Sequence, residues 1–334
     1  MRIKCLQIVL VLLSIAAPAC LSAAPTCDRQ CLVTIMQNYL AALVKHDPAA
    51  VPFDKYVKFT ENAANIPVGY GLWVTASGGP SEFQIYAADP VAQQVAALVM
   101  MQETGDTNEL VAVRLRLQRG KIIEAEHDVV REGLLMANLQ KPRPGLVEDV
   151  APADRTPRDQ MVDIGLSYYD ALADGDGTLA PFAEECERHV DGHPGAWGTK
   201  AAPIQAEPKP ESAPPEYADP EMAKLDAAED AAPRPCAAQM SSGVFAYITE
   251  IRNRRLLVVD EQKGLAVGFS NFYHAGKLKT IKLKGVPGVD SMPSIQRALN
   301  IPSVHFFKIK KGKIYDIEAT GVALPYGAKS GWEE

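Results

Sequence analysis

The sequence predicts an α+β fold of two tandem units, each a helix packed inside a curved antiparallel sheet, and three observations carry that expectation. First, Tyr39, Leu43, Asp47, Pro52 and Phe53 recur as Tyr168, Leu172, Asp176, Pro181 and Phe182 at a constant offset of 129 residues. Second, Gly120-Lys121-Ile122, followed by Glu124 and Glu126, recurs as Gly312-Lys313-Ile314 with Asp316 and Glu318, now at an offset of 192. Third, in each half a segment of helical period precedes a series of strand-like segments. Duplication of one unit, with roughly 60 residues added inside the second copy, accounts for both offsets.

The first unit, residues 27–131, opens with a helix from about Asp28 to Lys45, where Leu32, Ile35, Met36, Tyr39 and Leu43 share one face. Asp47-Pro48 stops it, and a short helical turn follows. Val57, Phe59 and Glu61 then alternate with Lys58, Thr60 and Asn62 as in a strand. Gly69 to Gly71 break this pattern before Leu72 and Trp73. Further strands are predicted at about Phe83–Ala87, Val91–Gln102, Leu110–Gln118 and Ile122–Arg131. Residues 132–155, rich in Pro and charge, read as a linker. The second unit, 156–334, starts at Thr156-Pro157, in the form of an N-cap followed by Pro in the first turn. Its strands are predicted at Val244–Ile251, Leu256–Asp260, Leu265–Tyr273, Lys277–Leu283, His305–Lys310 and Lys313–Thr320. Between them, about 197–235 is dense in Ala, Pro and Glu and reads as a disordered excursion, because it offers too little apolar surface to offset ordering.

The chain has 334 residues, with 34 Lys and Arg against 41 Asp and Glu, a net charge of −7. That balance argues against a nucleic-acid partner, since phosphate binding needs a surplus of cations. A small molecule or another protein is the expected partner, and the tandem units suggest a monomer built as an intramolecular pseudo-dimer, or a homo-oligomer. Residues 1–23 carry Arg2 and Lys4, an apolar run from Ile8 to Ala17 and small residues around Leu21-Ser22-Ala23-Ala24. This is the form of a secretory signal, too short for a membrane span, and it implies a secreted or periplasmic protein. The Ala17-Pro18-Ala19-Cys20 stretch lacks the Leu usual in a lipoprotein site. Cleavage near Ala23 removes Cys5 and Cys20 and leaves four cysteines. In an oxidising compartment these read as two disulfides, Cys27 with Cys31 at the helix start and Cys186 with Cys236 across the excursion, the latter contributing about 3–4 kcal/mol. Cys186, His189 and His193 have weak zinc spacing without a fourth ligand, and Asp174 to Thr178 resembles a calcium loop that lacks the Gly at its sixth position. No metal or organic cofactor is expected.

The order of elements resembles the NTF2-like (SnoaL-like) superfamily. The strings Cys27-Asp28-Arg29-Gln30-Cys31, Lys58 to Asn62, Gly69 to Trp73, Ala173 to Gly177 and Pro325 to Trp332 resemble a secreted tandem-domain family of uncharacterised function found in fungi and bacteria. The resemblance implies cone-shaped units with an enclosed pocket, in a superfamily that holds isomerases, dehydratases, cyclases, epoxide hydrolases and non-catalytic binding modules. In such a cone a polar residue in the inward, apolar register is the informative one. Glu61 follows Val57 and Phe59, and His127 follows Ile123 and Ala125. A carboxyl and an imidazole facing one dry cavity can share proton transfer, with His127 as base and Glu61 as its orienting partner or the acid. Tyr39, Asn62, Trp73 and Phe83 are expected to shape that pocket, Asn62 as a donor to a developing oxyanion. In the second unit the imidazole moves to the neighbouring strand as His305, with Tyr273 a further ligand-binding candidate. Arg252, Arg254 and Arg255 read as a solvated strand edge. The expected role is small-molecule proton-transfer chemistry of the lyase, isomerase or hydratase kind. The rival is a ligand-binding or protein-interaction module without turnover.

Overall fold

In the computed structural model, residues 26–196, 235–285, 290–294 and 296–333 are described. The expected leader over 1–23 and all of the expected excursion except Pro235 lie outside the described residues. The first helix, α1 (Arg29–Val44), forms where the apolar spacing places it. The Asp28 side chain accepts from the Cys31 N–H at 2.8 Å, satisfying one of the free N-terminal amides, a cap worth about 1 kcal/mol. Leu32, Met36, Tyr39, Leu40 and Leu43 form its buried face. Asp47 then caps a 3₁₀ turn over Pro48–Ala50 and redirects the chain.

There follow β1 (Phe53–Glu61), β2 (Ala64–Asn65), the helical turn α2 (Leu72–Thr75), β3 (Ala76–Gly78), β4 (Gln84–Asp89), β5 (Gln94–Glu103), β6 (Thr107–Gln118) and β7 (Lys121–Val130). They form one sheet in the order β2-β1-β7-β6-β5-β3, with β4 also on β5, and only β1 and β7 run parallel. β5 is a nearly unbroken apolar run because both of its faces are buried. Val95, Ala97, Val99 and Met101 pack towards α1, while Ala96, Leu98 and Met100 pack towards the second sheet.

The second sheet is preceded by α3 (Pro144–Val147) and α4 (Arg158–Asp174). Thr156 is not the cap of α4. Its hydroxyl instead accepts from the Gly312 N–H at 3.0 Å, and Pro157 occupies the cap position without a side-chain bond. The helix ends at Gly175, whose φ of 62° suits a residue without Cβ. Then come β8 (Phe182–Val190), β9 (His193–Ala196), α5 (Cys236–Ser241), β10 (Glu250–Asp260), β11 (Leu265–His274), β12 (Thr280–Lys282), β13 (Ser291–Pro293), β14 (Leu299–Lys310), β15 (Lys313–Gly321) and β16 (Leu324–Pro325). The expected strand at Val244–Ile251 is corrected. Val244 and Phe245 reach the core from successive turns closed by Ala246 N–H to Gly243 O and Ile248 N–H to Phe245 O, and a single strand runs from Glu250 through Asp260.

The strand order of this sheet, β9-β8-β15-β14-β11-β10, matches that of the first, β2-β1-β7-β6-β5-β4, and β8 is likewise parallel to β15. Registers match as well: Phe53 pairs with Ile122 and Phe182 with Ile314, the same positions under the two offsets. Both expected disulfides are present, Cys27–Cys31 and Cys186–Cys236, with Cα separations of 5.2 and 5.7 Å. Cys186, the leading residue of the zinc-like string, is therefore committed to sulfur.

The two sheets pack back to back through an apolar layer that includes Phe83, Leu98, Met100, Leu110, Val267, Phe269, Val304 and Phe306. Polar contacts across it are reciprocal. Asp89 of β4 accepts from the Val259 N–H at 3.1 Å and from Arg158, the first residue of α4, at 2.6 Å. Asp260 of β10 accepts from the Ala88 N–H at 3.1 Å and from Arg29, the first residue of α1, at 2.9 Å. The same kind of contact is thus made in both directions across the layer. Residues 132–155 pack into the molecule rather than run free. Leu139 and Leu146 enter the apolar layer, and Arg143 reaches Asp316, Glu318 and Glu187 at 2.8, 3.2 and 3.3 Å. Arg255 also departs from the expected solvated edge: it bonds Glu126 of the other unit at 2.6 Å, whereas Arg252 is exposed beside Glu250. Among the described residues no helix is long and apolar enough to cross a membrane.

Candidate functional site

Strand alternation sends Phe59 and Glu61 of β1, and Ala125, His127 and Val129 of β7, to the concave face of the first sheet, where α1 lies. The parallel pairing sets Glu61 directly against His127. Tyr39, on the buried face of α1, meets them from above: its hydroxyl is 2.8 Å from His127 Nε2. On the other side of the ring, Nδ1 is 3.5 Å from Glu61 Oε2, beyond hydrogen-bond length, and has no hydrogen-bond partner. A carboxylate can only accept, so Nδ1 facing Glu61 carries the proton, and Nε2 accepts from Tyr39. Burial pushes the Tyr39 phenol well above its ordinary range, which keeps it a neutral donor. His127 and Tyr39 are fully buried, and aromatic edges of Phe59 and Tyr39 enclose the imidazole at centroid distances of 4.9 and 5.7 Å.

The loop leading to α2 closes this cluster. Glu61 Oε2 accepts from the Leu72 N–H at 2.9 Å, at the first turn of α2. Gly71 has φ of 64°, and a Cβ on it would lie 2.4 Å from Glu61 Oε1, so only glycine lets the backbone approach the carboxyl this closely. Trp73 follows, 1% exposed, with its ring edge-on to Tyr39 at 5.3 Å.

Two expected pocket residues of the first unit are elsewhere. Asn62 is held by the backbone of β7: its amide donates one N–H to Val129 O at 3.2 Å and accepts from the Val129 N–H at 2.7 Å. Phe83 is buried in the layer between the sheets, because its position just before β4 turns it to the convex side.

A second polar group shares the first unit's interior and was not singled out from sequence. Glu109 begins the inward series Glu109, Val111, Val113 on β6, and Glu103 ends the series Val99, Met101, Glu103 on β5. Arg131 binds Glu103 through two nitrogens at 2.6 and 2.7 Å, and Thr75 Oγ1 donates to Glu103 at 2.5 Å. The hydrogen bond from Arg131 is the main reason the Glu103 carboxyl is held down to about 2. Glu109 is left 3.9 Å from Arg131, fully buried, and is hydrogen-bonded side chain to side chain with Glu103. Burial first, then the neighbouring Glu103, pushes its carboxyl up to about 9 against the pull of Arg131. The inward parity that marks Glu61 marks Glu109 and Glu103 too, but at strand ends a charged residue reads by default as solvated.

In the second unit, Tyr168 takes the place of Tyr39, yet its hydroxyl accepts from Arg188 Nε at 2.9 Å. His305 faces this interior between Tyr168, Tyr169, Phe272 and Phe307, its Nδ1 3.4 Å from the Tyr169 hydroxyl, and burial with the nearby Arg188 charge depresses it to about 3. Tyr273 is not with it. Phe272 and Tyr273 are successive strand residues, so Tyr273 lies on the opposite face, against Tyr326 and beneath the Arg252 guanidinium.

Among solved structures, the chain is similar to a protein of Silicibacter sp. TM1040 named as a candidate polyketide cyclase, with 14% identity, 49% of this chain and 90% of that chain covered, and a TM-score of 0.28. It is also similar to AclR of Streptomyces galilaeus, named as a candidate hydroxylase, with 9% identity, 50% and 77% covered, and a TM-score of 0.25. No curated protein matches the sequence. The family match falls on the second unit and its lead-in, half of the chain: over residues 154–321 the sequence fits the family described as "Domain of unknown function (DUF8021)", and the chain belongs to that family.

Proposed function

We propose that the first unit is the working half of an exported small-molecule enzyme that acts by proton transfer, of the lyase, isomerase or hydratase kind. The observation that carries this reading is His127, a fully buried imidazole held between the Tyr39 hydroxyl at 2.8 Å and the Glu61 carboxyl at 3.5 Å. In the reaction, Tyr39 passes its proton to Nε2 as its oxygen takes one from the substrate, and the imidazolium that forms is stabilised by Glu61. The 3.5 Å gap fits this role, since such contacts are often long in the free enzyme and tighten when charge develops on the ring. Admission of a substrate requires α2 to move, because Leu72 and Trp73 cover the cluster. Glu61 couples the two events, as it holds both the α2 amide and the imidazole side. The two disulfides support an oxidising compartment. The two units, with their reciprocal Asp89 and Asp260 contacts, act as an intramolecular pseudo-dimer, and the second supports the first.

One observation favours the rival reading of a binding module without turnover: Tyr39 and His127 have no solvent exposure, as core residues do. Ligand capture on the purified chain followed by mass spectrometry identifies the small molecule, and turnover of that compound is then compared with His127→Ala. A loss of about 10²-fold or more, with the fold intact, supports the enzyme. Unchanged conversion, or a bound compound that is never converted, refutes it.

A further inference from the structure

A cavity of about 330 Å³, inside the size range of small-molecule sites, lies on the convex side of the first sheet, across the strands from His127. It forms where the 3₁₀ turn Met136–Leu139 meets the Gly79-Pro80-Ser81 loop and the adjoining ends of β5 and β6. Strand alternation builds its floor and one wall. Met100 packs with the layer between the sheets, Gln102 follows on the same face of β5, and Asn108 of β6 stands directly opposite Gln102. Gly79, with φ of 104°, lets the loop come this close, since a Cβ there would lie 3.0 Å from Met101 Cα.

The lining restricts what fits. None of its residues is charged, and the charged neighbours Glu82 and Lys141 engage each other at 2.8 Å. A charged ligand would therefore shed water without gaining a counter-charge. The apolar side includes Met100, Met136 and Leu139, and thioethers are flexible, polarisable and favourable against aromatic rings. The polar side is the facing pair of carboxamides, Gln102 and Asn108, neither of which has a hydrogen-bond partner among the described residues. Each presents both a donor and an acceptor, so the pair matches a ligand edge that carries the two side by side.

We infer that this cleft is a second binding site, for a neutral planar compound that lays its ring against Met100 and Met136 and turns a lactam or carboxamide edge to Gln102 and Asn108. It is separate from the cluster of Tyr39, His127 and Glu61 and does not depend on chemistry there. It also gives the segment 132–155 a role beyond joining the units, because Met136 and Leu139 supply the outer wall.

The test uses the full chain and 2-quinolone, a neutral bicyclic lactam, with quinoline-2-carboxylate as its charged counterpart. With isotope-labelled methionine methyls, an NMR titration with 2-quinolone should saturate and move the Met100 and Met136 signals, each assigned by substitution to Leu. Gln102→Ala/Asn108→Ala removes two exposed side chains, so the fold is preserved, and should weaken binding about tenfold or more. Quinoline-2-carboxylate should bind about tenfold or more weakly than the lactam. His127→Ala should bind 2-quinolone as the native protein does. No saturable binding, a double variant that binds as tightly as the native protein, a carboxylate that binds as well as the lactam, or shifts confined to other methionines would each overturn the inference. Binding lost in His127→Ala but kept in the double variant would put the probe in the cone interior and overturn it too.

Discussion

Removing the Cys186–Cys236 bridge by the double substitution Cys186→Ala/Cys236→Ala should cost the second unit about 4 kcal/mol. The figure follows from the sequence separation of 50 residues between the bridged cysteines, since closing a loop of that length removes about 14 cal/mol/K of entropy from the unfolded chain. The same relation gives about 2 kcal/mol for Cys27–Cys31, whose separation is 4. Both bridged sulfurs of the long loop also sit at zero exposure in the second core, between α4, α5 and β8, so their loss adds a small packing cost. Urea unfolding followed by far-UV circular dichroism reads the difference. With a slope of about 2 kcal/mol/M, the midpoint of the second unit should fall by about 2 M, and that of Cys27→Ala/Cys31→Ala by about 1 M or less. A long-loop variant that unfolds within about 0.5 M of the native protein would refute the reasoning, because the unfolded chain would then gain no freedom from the cut.

Three further outcomes are expected. Arg143→Met should destabilise by about 3–5 kcal/mol at pH 8, because three carboxyls lose their shared cation. Burial raises Asp316 to about 6 and Glu318 to about 7 with Arg143 opposing, so their contribution is full below the unfolded values and is lost as pH rises through these folded ones. The loss from Arg143→Met should therefore shrink at pH 5, and a pH-independent loss in thermal melts would count against it. Gly71→Ala should cost about 1–3 kcal/mol and displace the Glu61 carboxyl, seen as a shift of the His127 ring signals in NMR; unmoved signals would sever Gly71 from the site. Asp89→Ala and Asp260→Ala should each cost about 2–3 kcal/mol and agree within about 1 kcal/mol, since each breaks the same pair of contacts in mirrored form; one costly and one silent substitution would show that the two halves are not equivalent.

Residues that act locally were legible without coordinates. The apolar spacing of Leu32, Met36, Tyr39 and Leu43 sets α1, Asp47 and Asp176 cap equivalent turns, and Gly120 and Gly312 both take positive φ in equivalent hairpins. Strand parity on β1 and β7 sufficed to bring Glu61 and His127 to one face, because side-chain direction alternates without regard to what lies opposite. Parity gives the face but not its occupant. It placed Phe269, Asn271 and Tyr273 together correctly, and only the packing of the second sheet against the first made that face the convex one. Asn62 carries no mark in the sequence of the Val129 backbone that claims it, and Phe83 none of the second unit against which it packs. The same holds for Glu109, whose pairing with Glu103 depends on where Arg131 turns at the end of another strand. What the sequence determined is the two main helices, most of the strands and the side-chain parity along them, which depend on neighbours along the chain, while β8 (Phe182–Val190) went unmarked. Which surface is inside, which polar group is satisfied and which is left with its proton depend on atoms far apart in sequence, and only the folded arrangement of the two sheets decides them.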